Sequence, residues 1–276
     1  MYVLLVMPIE IYEDFVQFVQ HPGQGFFSCC TIHLQGILKH FNQYKKIPKY
    51  VDSTQQFLWY KRPDQWDMDI KSVYFEESHD MDIPYEKDVN VVDHQIEEQY
   101  CDYKTVNYQD LKPFIEKYFT PSQEIKNIIK KIEKKYDIDY ENICVLFYRG
   151  NDKQVEIKLP DYECYIQTAR QIYQENPNIK FLIQSDESEF LVQMAREFPN
   201  NHIIFHDEIR HMKKNNYSTV DKVYRHLNPE MSKNYLAITY MMSKCKYVVC
   251  GSGNCSIWIA LYRGNADNII QYCYLA

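Results

Sequence analysis

Glycine is scarce in this chain, with 7 in 276 residues. Each one therefore counts as a marker of backbone that needs freedom or close approach. There is no Gly-x-Gly-x-x-Gly run and no Gly-x-x-x-x-Gly-Lys loop, so neither a dinucleotide fingerprint nor a Walker phosphate loop is present. The nine cysteines include no Cys-x-x-Cys pair, which argues against a zinc ribbon or redox motif and for buried free thiols. A basic excess is also missing. The formal charge of −7 speaks against a general nucleic-acid binder, though it leaves room for a local basic pocket. No internal repeat or low-complexity tract occurs. Long apolar runs are absent too: Met1–Met7 is too short to span a membrane, and Pro8, Glu10, Glu13 and Asp14 follow at once. That stretch is expected to be a first strand and not a signal peptide, with no transmembrane segment and a cytoplasmic location.

What remains is an ordinary globular composition, 45% hydrophobic and 25% charged, in a length suited to one large domain or two ordinary ones. The C-terminal half alternates strand-like and helical patterns. Strands are predicted at 143–148, 180–184, 202–205, 246–250 and 268–272, and helices at 161–175, 187–198, 234–244 and 254–263. Such alternation implies a parallel sheet with helices on both faces. Pro121-Ser122-Gln123-Glu124 reads as a helix start, with Ile125, Ile128, Ile129 and Ile132 at helical spacing. We therefore divide the chain into residues 1–120 and 121–276. The N-terminal part begins as strand, loop (His21 to Gly25), helix (27–41) and strand (49–52). It then passes into an acidic, aromatic region without a trusted period, Phe57 to Glu98. Ile209 to Pro229 is predicted to be an excursion across the mouth of the second domain.

Three places carry chemistry. The first is Leu146-Phe147-Tyr148-Arg149-Gly150-Asn151-Asp152-Lys153, where a buried strand ends in a guanidinium. Open α/β sheets bind ligands at the carboxyl ends of their strands, and the planar fork of arginine suits phosphate. The second is Phe181-Leu182-Ile183-Gln184-Ser185-Asp186-Glu187. Ser185 and Asp186 would cap the following helix, or Asp186 would accept from a base N–H or a ribose hydroxyl. The third is Cys250-Gly251-Ser252-Gly253-Asn254-Cys255-Ser256, a glycine-serine turn that opens a helix and offers free N–H groups and hydroxyls to an anion. Together they describe a nucleoside-diphosphate pocket: Arg149 on phosphate charge, the Ser252–Ser256 turn on its other face, and Asp186 on the nucleoside.

The order of these motifs, completed by Met241-Met242-Ser243-Lys244 before the third and by Ile257-Trp258 after it, resembles the α1,2-/α1,6-/protein-O-fucosyltransferase superfamily. The match runs from Asn142 to Trp258. In the first half, Gly23-Gln24-Gly25 and the helix after it are similar to the family's glycine-asparagine-glutamine loop. The resemblance implies an α/β fold of GT-B type, two Rossmann-like domains facing a cleft, with the first on the acceptor side and the second holding the donor. It implies inverting transfer of one sugar onto a glycan hydroxyl, without a metal or other cofactor. By resemblance, Arg149 holds the diphosphate and helps the leaving group depart. Asp152 is the first motif's aspartate, and Gln24, Gly25, Ser185, Asp186, Gly251, Ser252, Gly253, Asn254 and Ser256 are donor-binding positions. The chain departs from the pattern at Phe147, where the family has histidine, and at Asn151, which is an extra residue. Both fucose from GDP-fucose and a related sugar such as xylose from UDP-xylose stay open.

Inverting transfer needs a base for the acceptor hydroxyl, and Glu156, in the loop after the first motif, is the candidate beside Arg149 and Asp152. Alternatives are a catalytically silent nucleotide- or sugar-binding protein on the same scaffold, or a metal-dependent GT-A transferase. The Asp-x-Asp tripeptides that the latter requires (Asp67/Asp69, Asp80/Asp82, Asp137/Asp139) follow no convincing apolar strand and are declined. A sugar-nucleotide epimerase is disfavoured by the missing glycine fingerprint.

Overall fold

The computed structural model describes residues 9–19, 24–76, 83, 87–90, 99–215 and 218–273. The strand expected at 2–7, Gly23, and the tripeptide with Asp80 and Asp82 lie outside the described residues, as do parts of the 57–98 region. The chain divides into two compact units, Met1–Gln99 with Asn107–Glu124, and Tyr100–Val106 with Ile125–Ala276.

In the first unit, strands β1 (Ile9–Ile11) and β2 (Phe15–Phe18) form an antiparallel hairpin, closed by Tyr12 N–H donating to the Phe15 carbonyl at 2.9 Å. Helix α1 (Phe26–Tyr44) then crosses to β3 (Tyr50–Asp52), which pairs parallel with β2. Of the expected strand–helix–strand start, the helix and the second strand are therefore present. Among the described residues, however, its sheet is mixed and three-stranded, in the order β1-β2-β3, and not the parallel sheet of a Rossmann-like domain. The hairpin is the reason: a connection of three residues, Tyr12 to Asp14, can only return antiparallel. The described part of the aperiodic region folds as short turns with α2 (Lys71–Tyr74) and β4 (Phe75–Glu76). After α3 (Tyr108–Tyr118), β5 (Thr120–Pro121) pairs with β4.

Helix α4 (Gln123–Tyr136) buries Ile125, Ile129 and Ile132, three positions on one face. It leads into the second unit, whose elements follow the sequence expectation closely. They are β6 (Ile143–Tyr148), α5 (Tyr162–Glu175), β7 (Lys180–Ser185), α6 (Ser188–Glu197), β8 (His202–Ile203), α7 (Val220–Val223), α8 (Asn228–Lys244), β9 (Tyr247–Gly251), α9 (Asn254–Arg263) and β10 (Ile269–Tyr272). Helix α8 starts two turns earlier than periodicity predicts, because Pro229 sits in its first turn, where a missing N–H costs nothing.

The five strands are all parallel, in the order β10-β9-β6-β7-β8. Central β6 buries all six of its residues, as its unbroken apolar run requires when both faces are covered. The chain steps from β6 to β7 and β8 on one side, then returns to place β9 and β10 on the other. Strand order reverses between β6 and β9, and a crevice at such a reversal is where doubly wound sheets bind ligands. All nine cysteines are free thiols, six of them buried.

Candidate donor site at the carboxyl ends of the parallel strands

The first two motifs interlock. Asp186, 4% exposed, accepts the Gly150 N–H on Oδ1 at 2.9 Å, and its Oδ2 lies 3.4 Å from Arg149 Nε. Asn151, fully buried, donates from its side chain to the Asp186 carbonyl at 3.0 Å, while its N–H donates to Glu187 Oε1 at 2.7 Å. Glu187 is also fully buried and accepts from the Tyr162 hydroxyl. A Cβ on Gly150 would stand 2.0 Å from Glu187 Oε1. That position is glycine because a carboxylate lies against its α-carbon. Asn151, the residue extra to the family pattern, has φ of 40° and ties this loop to Asn215 N–H at 2.8 Å. Ser185 Oγ accepts from Glu187 N–H at 3.0 Å. The residue that caps α6 is Glu187, one after the expected pair.

Arg149 is held on three sides. Besides Asp186, its guanidinium is 3.7 Å from Asp152 Oδ1 and donates to the Tyr235 hydroxyl at 3.3 Å. Burial opposes its charge, but Asp186, Tyr235 and Asp152 outweigh that and keep the group firmly protonated. A quarter of the side chain is exposed. Together with Gln184, Ser185, Asp186 and Tyr235 it lines a cavity of about 40 Å³, whose apolar walls are Phe147, Ile209 and Ile238. That is room for roughly three waters. The amide oxygen of Gln184, a residue 5% exposed, has no hydrogen-bond partner there. The excursion from Ile209 does lie at this mouth. Arg210 pairs with Asp221 at 2.6 Å, and both line the cavity.

The third motif is placed beside the first, because β9 pairs with β6. Gly253 caps α9 with φ of 151°, a backbone that side chains rarely adopt. The cation that crosses it is Lys153, not Arg149: Lys153 Cε lies 3.1 Å from where a Gly253 Cβ would be. Lys153 stands in the first motif with no role legible from the sequence, since nothing local says which way a side chain leaves a short turn. The donors and hydroxyls expected to meet phosphate already have protein partners. The Tyr103 hydroxyl accepts from Gly253 N–H at 3.1 Å, and Ser252 Oγ accepts from Gln271 Nε2 at 2.9 Å. Asn254 and Ser256 are buried, and Gly251 ends β9.

Of the acidic candidates, Glu156 is paired with Lys153 at 2.5 Å and accepts from the Tyr100 hydroxyl. Burial would raise its carboxyl, but Lys153 and Tyr100 hold it below the usual value. Asp152 is the opposite case. Burial raises it, against the pull of Arg149, and its Oδ1 has no hydrogen-bond partner. Gln24 and Gly25 belong to the first unit, where Gly25 caps α1. Asp69 spends both oxygens on backbone N–H groups of Ser53 and Lys71. Asp139 accepts from Asn142. Among the described residues, no three His, Cys, Asp or Glu side chains gather as metal ligands would. No described helix is long and apolar enough to cross a membrane.

No protein-family model matches the sequence, and no curated protein matches it. Among solved structures, the chain is similar to NodZ α-1,6-fucosyltransferase soaked with GDP-fucose, at 10% identity and a TM-score of 0.36, over 56% of this chain and 47% of that one. It is similar to fucosyltransferase NodZ from Bradyrhizobium at 11% identity and a TM-score of 0.37, over 56% and 46%. For NodZ α-1,6-fucosyltransferase co-crystallised with GDP the values are 9%, 0.35, 55% and 45%. The chain spans about half the length of these structures.

Proposed function

We propose that this protein is a glycosyltransferase of GT-B type, inverting and metal-independent, whose second unit holds a nucleotide-sugar donor. The observation that carries this reading is the placement of two cations, Arg149 and Lys153, in one loop at the end of β6, with Lys153 lying across Gly253 at the head of α9. That is the point of strand reversal. Glycosyl transfer builds negative charge on the departing diphosphate while the sugar becomes cationic, and preorganised positive groups lower that barrier. In this reading Lys153 and the α9 amides take the diphosphate, and Arg149 takes its flank. The cavity beside Gln184 takes the base once its walls yield. A base with paired N–H donors suits the open Gln184 oxygen and Asp186 Oδ2.

For the acceptor proton, Asp152 fits better than Glu156. A general base works best when its pKa is lifted toward the working pH, and of the two only Asp152 is lifted. The acceptor is a glycan hydroxyl. The donor is GDP-fucose or a UDP-linked relative such as UDP-xylose. The motif order from Asn142 to Trp258 supports the same reading.

A thermal-shift panel of GDP, UDP, ADP and CDP tests it. A ligand at a hundred times its Kd adds about 2.7 kcal/mol of apparent stability, so GDP or UDP should raise the midpoint and the others should not. The matching sugar nucleotide should then lose its sugar to water or to an acceptor. Absence of any nucleotide effect sinks the proposal. Nucleotide binding with no turnover would instead identify a silent binding protein.

A further inference from the structure

Tyr100–Val106 belongs to the second unit, although the chain on either side of it belongs to the first. Its two tyrosines each sit on a group that the donor reading assigns to phosphate. The Tyr103 hydroxyl accepts from Gly253 N–H at 3.1 Å and donates to the Gly253 carbonyl at 3.2 Å, with the residue 1% exposed. The Tyr100 hydroxyl accepts from Lys153 Nζ at 3.1 Å and donates to Glu156. Between them, Gln271 at the end of β10 accepts from Tyr103 N–H at 2.9 Å and donates to the Cys101 carbonyl at 2.8 Å and to Ser252 Oγ at 2.9 Å. One short segment therefore engages the amide of the residue that caps α9, the loop cation and, through Gln271, a turn hydroxyl.

We propose that Tyr100–Val106 is an autoinhibitory strap, in which the Tyr103 and Tyr100 hydroxyls stand where phosphate oxygens of the donor would bind, so that a nucleoside diphosphate enters by displacing it. This rests on the donor reading above. Charge is mismatched at the helix start. A helix start favours an anion, yet the Gly253 N–H at the head of α9 faces a neutral phenol, while Lys153, paired with Glu156 at 2.5 Å, takes the Tyr100 hydroxyl as a second, neutral partner. Burial pushes the Tyr103 hydroxyl well above its usual value, so it stays neutral and supplies no negative charge. A diphosphate would satisfy the same donors and add the charge missing at the head of α9, at the cost of releasing a few hydrogen bonds from one segment. Holding the strap closed lowers apparent donor affinity by the fraction of molecules that are open.

The test uses the full chain, its Tyr103→Phe and Tyr100→Phe variants and the double variant, with GDP and UDP as probes. Calorimetry should show the double variant binding the preferred nucleotide about tenfold tighter than wild type. Amide hydrogen exchange across residues 100–106 of the wild type should rise when that nucleotide is added. Unchanged or weaker binding in the double variant, with residues 100–106 protected by nucleotide, overturns the strap while leaving the donor reading standing. If neither wild type nor variant binds a nucleotide, the donor reading fails and the strap falls with it. Should the variants not fold, exchange in the wild type decides alone.

Discussion

Asp152 and Glu156 lie four residues apart in one loop, yet their surroundings push them in opposite directions. Asp152 is half-buried beside Arg149, with Glu156 and Asp186 near enough to oppose its charge. Its folded pKa therefore lies above the unfolded value, and the native state holds its proton longer. The stability this contributes is complete below the unfolded pKa, about 4, and is lost as pH rises through the folded pKa. Asp152→Asn keeps the shape and removes the charge. Urea unfolding at pH 4 and pH 7 should show the variant gaining on wild type as pH rises, while transfer falls by roughly 10² to 10⁴ if the carboxylate takes the acceptor proton. Undiminished transfer would return the role of base to another group. The sequence offered both carboxylates as candidates but no means of ranking them: each has a cation three residues away, and the difference comes from their burial and from residues such as Tyr100 and Asp186, far away in the chain.

Among elements, the loops after β6 and β7 act as one unit. Adjacent parallel strands bring their carboxyl ends together, and the Asp186 and Glu187 carboxylates accept the Gly150 and Asn151 N–H groups. Gly150→Ala would drive a methyl into Glu187, which cannot retreat while it holds Asn151 and Tyr162. A loss of about 1–3 kcal/mol is expected from such overpacking, measured by denaturant unfolding. Combined with Glu187→Ala, the loss should be less than the sum of the two single losses, since the clash is then relieved. Strict additivity would place the strain elsewhere. The strands and helices of this unit were legible because apolar runs of five or six residues alternate with helical periods. The interlock was not legible, since Ser185-Asp186 before a helix also reads as a plain cap.

For the whole molecule, charge is the informative quantity. A chain at −7 nevertheless places Arg149 and Lys153 in one loop, and the proposed function gives these two cations the part a metal would otherwise play. Transfer is therefore expected to keep its rate in EDTA; a loss restored by Mn²⁺ would favour the metal-dependent alternative. The first unit was the less legible one. Its hairpin falls between the strand predicted at 2–7 and the loop predicted at His21 to Gly25, and the described part of the 57–98 region folds by turns and aromatic contacts, such as those of Phe57 and Tyr74 with Phe26, which have no period. Local pattern alone determined the parallel α/β character of the second unit and the strand-end location of its motifs, because hydrophobic period and turn chemistry act between near neighbours. Only the tertiary structure decided that Lys153 crosses Gly253, that Asp186 and Glu187 hold the neighbouring loop, and that Tyr103 meets the head of α9. Each joins groups distant in the chain, and such contacts are set by how elements pack and not by the order of residues within them.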